Sequence, residues 1–232
     1  MTYREAMDKL ESLGDEKTRE DNQRRGVDIP QFGVKMGALR EVAKQIKSDH
    51  TLGNELWRSG NYEAMLLATL VMKPKQLSDE ELDEMLAEVT HFQVADWLVT
   101  NVIKLHPHKE AHRESWMNSD HTMTARTGWS LTAERIGKNP AGLDLSGLLD
   151  RIEAGLGSAP SASRDLNKVF GTVEWTMNFC LAEIGINFPE HRARAIAIGE
   201  KLGAFKDYPT SKGCTSPYAP TWIAEMVKRG QP

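Results

Sequence analysis

TLGNELWRSGNYEAMLLATLVM, residues 51–72, decides the fold. Thr51 to Arg58 reads as a short helix closed by Ser59-Gly60. Asn61 then offers a side-chain oxygen to cap a second, more apolar run, YEAMLLATLVM, that stops before Pro74. Two helices joined by so few residues form a helical hairpin, and the same grammar repeats on either side of it. Upstream, Gly37 to Lys47 sets Leu39, Val42, Ala43 and Ile46 on one side and Arg40, Glu41, Lys44 and Lys47 largely on the other. Downstream, Ser78 and Glu81 make a capping box at the head of an acidic helix that runs to about Val89.

Farther along, the spacing predicts helices over Phe92 to Leu105, ended by His-Pro-His, over Lys109 to Met117, and over Thr122 to Gly137 before Asn-Pro. Another opens at Asp144 and closes near Gly155, and GLGSAPSASRD after it reads as a flexible loop. Val173 to Ile184, Pro189 to Leu202 and Thr221 to Arg229 follow, the last after the irregular YPTSKGCTSPYAP. Two-residue alternation and Val/Ile/Thr-rich runs are scarce, so the fold class is all-α and sheets are not indicated. YEAMLLATLVM, TARTGWSLTAERI and VEWTMNFCLAEIG share a loose pattern of small residues among large ones, as degenerate helical repeats do. We therefore read residues 1–232 as one repeat domain, with 1–30 as an N-terminal helical cap and 204–232 as a C-terminal tail bearing a short helix.

Composition fits a globular chain: 232 residues, 40% hydrophobic and 27% charged. The longest apolar stretch, around Ala64 to Met72, is about half of what a membrane span needs, and MTYREAMDKLE is acidic where a secretory signal is apolar. Together with the two cysteines, Cys180 and Cys214, which cannot form a disulfide framework, this predicts a cytoplasmic protein with free thiols and no membrane partner. A net charge of −4 argues mildly against nucleic acid, yet the acids cluster, with six of them in SDEELDEMLAEV, so another face can be basic.

Several residues could carry chemistry. Trp57, Trp97, Trp129 and Trp175 are either core or, where an indole lines a groove, a surface for a cationic or unpaired base. Trp97 and Asn101 lie one helical turn apart, with Asp96 offset by about 100°. A carboxylate there could stabilise positive charge on a sugar, and otherwise Asp96 is a solvated surface acid. Arg126 can reach a phosphate with its fork of donors or be an ordinary surface arginine. His106, His108 and His112 have the look of a metal cluster, but no cysteine or further acid stands at ligand spacing. Exposed imidazoles at a helix stop are expected instead, with no metal. Cys214 lacks the surroundings of a nucleophile, and no GxGxxG or GxxxxGK[ST] loop occurs, so no cofactor is expected.

FGVKMGALREVAKQI, ELWRSGNYEAMLLATLVM, ADWLVTNVI, ARTGWSLTA and FCLAEIGINFPEH resemble, in order, successive stretches of the AlkD-like DNA alkylation repair proteins. The likeness runs from about Gln31 to Leu202. It implies a right-handed α-α superhelix of HEAT-like repeats whose concave side cradles duplex DNA, and an N-glycosylase that removes cationic N-methylated purines without a cofactor. Family members with that activity place an aspartate four residues after a tryptophan, and an arginine and a second tryptophan on neighbouring repeats. Trp97 matches the first tryptophan and Arg126 the arginine, while Asn101 stands at the aspartate's position and Phe179 at the second tryptophan's.

The expectation is thus a monomeric DNA repair protein that binds alkylated double-stranded DNA and excises cationic N-methylated purines from it. Asp96 and Asn101 are the catalytic candidates, Trp97, Trp129, Phe179 and Trp175 the lesion-stacking ones, and Arg126, Lys35 and Arg40 the DNA-binding ones. Because an amide cannot supply a full negative charge, a non-catalytic binder of damaged or branched DNA is the alternative. A helical-repeat scaffold for proteins is a third.

Overall fold

The computed structural model describes residues 1–158 and 172–230. Within them the chain forms α1 (Tyr3–Ser12), α2 (Glu16–Arg24), α3 (Met36–Ile46), α4 (His50–Arg58), α5 (Tyr62–Val71), α6 (Asp79–Glu88), α7 (Phe92–Asn101), α8 (Lys109–Met117), α9 (Thr122–Lys138), α10 (Leu145–Ser158), α11 (Val173–Asn187), α12 (Pro189–Leu202) and α13 (Ala219–Lys228). Two 3-10 turns, Pro74–Gln76 and Ile103–Leu105, complete the helical inventory, and the only extended pairing among the described residues is an isolated bridge between Gly14 and Val34. The all-α reading holds. By its contacts the chain divides into two compact units, Met1–His112 and Arg113–Pro232, with the boundary inside α8. Elements that touch only near neighbours in the chain allow such a division.

In the first unit α5 is central and packs against α3, α4 and α7. From Tyr62 to Thr69 every one of its residues is buried, which is why it is apolar all round and not striped. Polar side chains fix where the helices begin: Asp49 Oδ1 accepts from Leu52 N at 3.0 Å, and Asn61 Oδ1 from Glu63 N at 3.1 Å and Ala64 N at 3.2 Å. The capping box of Ser78 and Glu81 is present at α6.

One polar group inside this unit is exceptional. Glu63 is 0% exposed, and its carboxylate accepts three backbone N–H groups, from Phe32 at 2.8 Å, Gly33 at 2.9 Å and Val34 at 3.1 Å. Those donors belong to the segment joining α2 to α3. Gly33 within it has φ +83°, and a Cβ there would strike the Asp15 carbonyl, so only glycine lets the segment lie this close.

The helix expected over Phe92 to Leu105 is shorter: α7 ends at Asn101 and the chain continues as a 3-10 turn. The break is at Val102, which leaves the helical region at φ −121° and ψ −65°, and Pro107 then stops the turn at Leu105. The residue before a proline avoids the helical region, and His106 is accordingly extended at ψ 137°.

In the second unit α11 is central, packed against α9, α10, α12 and α13. Gly128 lets α9 touch α8, because a Cβ at that position would meet the Met117 backbone nitrogen. Cys180 is buried with its thiol donating to the Trp129 carbonyl at 3.2 Å, and burial pushes that thiol up. Both cysteines are free. The tail is tied down through Asn178, whose amide donates to the Pro217 carbonyl at 2.8 Å. Of the loop expected in GLGSAPSASRD, Gly155 to Ser158 form the last turn of α10, and the rest lies outside the described residues.

Glu63→Gln should destabilise the protein by roughly 2 to 3 kcal/mol, because an amide presents one acceptor and one donor to three buried donors. Urea unfolding of the two proteins side by side measures it. A change under about 0.5 kcal/mol would mean that the segment is held by other means.

Candidate nucleic-acid interface

The predicted residues divide between the two units. Lys35, Arg40, Asp96, Trp97 and Asn101 belong to the first; Arg126, Trp129, Trp175 and Phe179 belong to the second.

In the first unit Lys35 and Arg40 are exposed, and Asp96, Trp97 and Asn101 are half-buried. Helices α3 and α7 both pack on α5, and Arg40 of α3 lies beside the tryptophan of α7. The Arg40 guanidinium carbon lies 5.1 Å from the centre of the Trp97 ring, within cation–π range. Nearby, Gln93 donates to the Met36 sulfur at 3.6 Å, a second tie between the same two helices. The expected pocket for a cationic base against Trp97 is therefore altered, since a cation of the chain itself occupies that ring face.

Asn101 is held by the helix beneath it. Its amide nitrogen donates to Thr69 Oγ1 at 3.2 Å, and the Thr69 hydroxyl donates to the Leu66 carbonyl at 2.8 Å. Thr69 was not among the residues singled out from sequence. The signal was there, as the lone hydroxyl in an otherwise apolar run.

The second unit places all four of its predicted residues otherwise than expected. Trp129 is 1% exposed and Arg126 2%, so neither presents a face or a fork to a ligand in this structure. Trp129 is a core residue, with Arg151 placed over its ring at 5.4 Å. Trp175 and Phe179 retain some exposure but are members of an aromatic cluster built with the tail. Trp175 stands 5.7 Å from Phe179, 5.2 Å from Phe205 and 5.7 Å from Tyr208, and Phe179 stands edge-on to Trp222 at 4.7 Å. Edge-to-face packing of this kind is how aromatic cores are filled. Trp57, the remaining candidate, is buried with its indole N–H donating to Glu88 at 2.9 Å.

The histidine region also departs from expectation. His106 is buried, not exposed, and an acid is present after all: Asp79, at the start of α6, faces His106, His108 and His112.

Comparison with known proteins places this geometry. The family model described as DNA alkylation repair enzyme matches residues 6–223. An uncharacterized protein of Listeria innocua is 21% identical over 201 residues, covering 85% of this chain and 84% of its own. One of Listeria monocytogenes is 20% identical over the same length, with the same coverage. A solved structure, reported as a new family of proteins related to the HEAT-like repeat DNA glycosylases with affinity for branched DNA structures, superposes with a TM-score of 0.77. It is 24% identical and covers 100% of this chain and 96% of its own, a likeness that shows the fold.

Asn101→Asp tests what the amide does. A carboxylate cannot donate to Thr69, whose hydroxyl must then abandon the Leu66 carbonyl, so a loss of roughly 1 to 2 kcal/mol is expected. A lower urea midpoint with an unchanged slope is the signature to look for. An unchanged midpoint would show that the amide donation contributes nothing to holding α7 on α5.

Proposed function

The chain belongs to the family of DNA alkylation repair enzymes, and on that premise we propose that it binds branched or damaged DNA through the α3–α7 surface without excising a base. The observation that carries this reading is Arg40 over Trp97. A cationic N-methylated purine seeking that indole face would have to displace a cation already there, and two cations over one ring repel. An arginine so placed keeps donors for phosphate, while the exposed Lys35 adds charge at the cap of the same helix. The position at which an acid would stabilise a sugar cation carries Asn101, whose amide is engaged with Thr69. The affinity for branched DNA reported for the structural relative fits the same reading.

A second reading, excision of cationic N-methylated purines, is favoured by the family membership and by Asp96, a partly exposed carboxylate beside Trp97. A cationic base leaves readily, so one well-placed carboxylate can suffice for that chemistry.

Fluorescence anisotropy on a four-way junction, a linear duplex of the same sequence and a duplex bearing an N-methylated purine separates the two, with released base measured in parallel. The junction is expected to bind tightest. Affinity should fall with salt, and Arg40→Ala should weaken it about tenfold and reduce the salt slope by about one. Equal affinity for junction and linear duplex, or an unchanged Arg40→Ala protein, would overturn the binding surface. Release of methylated purine that disappears in Asp96→Ala would replace the first reading with the second.

A further inference from the structure

Sequence spacing alone gives the histidines no acid partner, but folding does. Asp79 is the first residue of α6, and the capping of that helix is done by Ser78 and Glu81, so the Asp79 carboxylate is not spent on the cap. It points instead at the turn that precedes α8. His108 Nδ1 lies 3.1 Å from both of its oxygens, His112 Nε2 lies 3.1 Å from Oδ1, and His106 Nδ1 lies 3.9 Å from Oδ1. For four donors around one Zn2+ at ordinary bond lengths, neighbouring donor atoms are about 3.4 Å apart. The separations from Asp79 bracket that figure, and one ligand atom from each of Asp79, His106 and His108 lies within 4.8 Å of the other two.

We propose that Asp79, His106 and His108 form a Zn2+ site that clamps the start of α6 to the turn before α8. The outer partners that such a site needs are in place. His106, with a side chain 1% exposed, has Nε2 at 3.0 Å from the Leu77 carbonyl. A carbonyl only accepts, so the proton sits on Nε2 and Nδ1 carries the lone pair that faces Asp79. Metal-binding histidines characteristically give their second N–H to a carbonyl or a carboxylate in this way. His112 stands beside the cluster, its Nε2 3.1 Å from Asp79 Oδ1. On binding, the backbone N–H of His108 gives up its 3.3 Å bond to His106 Nδ1, and His108 carries its ring proton on Nε2. Two imidazoles and a carboxylate suit Zn2+ better than Mg2+ or Ca2+, which prefer oxygen. Three protein ligands leave the fourth position of a tetrahedral ion to water or to His112, whose Nε2 stands 3.1 Å from Asp79 Oδ1.

The test uses tag-free, chelator-washed full-length protein titrated with ZnCl2 against a chromophoric chelator, with CoCl2 as a spectroscopic substitute. One equivalent of Zn2+ should be taken up, and Co2+ should give the intense visible bands of a tetrahedral ion. Asp79→Asn and His108→Ala should each weaken uptake at least about tenfold. Both positions are solvent-accessible, His108 with 61% of its side chain exposed, so the variants are expected to fold, and circular dichroism confirms it. His121→Ala, outside the cluster, should leave uptake unchanged. No competition with the chelator, or uptake equal in wild type and the Asp79→Asn and His108→Ala proteins, would overturn the proposal.

Discussion

Glu63 is a carboxylate shut away from water, and it is tolerable there only because three consecutive backbone N–H groups close on it. Residues 32–34 thereby gain the partners that no sheet or helix supplies to them. That fixes where α3 starts, since Lys35 is its cap residue and follows Val34 directly. One and a half turns into α3 sits Arg40, and the line of that helix over α5 decides whether its guanidinium meets Trp97 on α7. The surface that we read as functional is thus set by a buried acid that touches no ligand.

Arg40 over Trp97 also has an electrostatic consequence. The face of an indole attracts positive charge, and a protein meant to hold a cationic base would leave that face open or place acids around it. Here the chain supplies the cation itself. The arrangement favours polyanionic partners whose phosphates approach the guanidinium, and it lowers the attraction of the ring for an alkylated base.

Much of the architecture could be read from local grammar. Asn61 caps α5, Ser78 and Glu81 make a capping box, and Pro189 enters a helix, because caps act over three or four residues and leave their mark in the sequence. The site was less legible. Periodicity tells which residues share a helix face but not whether another helix covers it. Arg126 lies in ARTGWSLT, where Ala125, Thr127, Gly128 and Thr132 are also buried; so many small residues on all sides marked a helix enclosed by its neighbours. The histidines failed for a different reason. Their acid partner comes from the head of another helix, and nothing in the spacing of His106, His108 and His112 points to it.

The net charge of −4 is unfavourable for binding a polyanion, but a formal count treats every acid as if it projected into solvent. Glu63 is consumed by backbone dipoles, Glu88 accepts from the Trp57 indole, Glu81 is spent on its cap, and Asp79 faces histidines that hold its carboxyl below the usual range. Lys201 pairs with Glu153 at 2.7 Å, and Arg194 with Asp150, so part of the exposed charge is also neutralised locally. Lys35 and Arg40, by contrast, are exposed on α3. What a phosphate meets within a Debye length of about 8 Å is that local field, and the distant acids are screened. A negative chain can therefore present a positive surface, and the decisive quantity is which acids are already engaged.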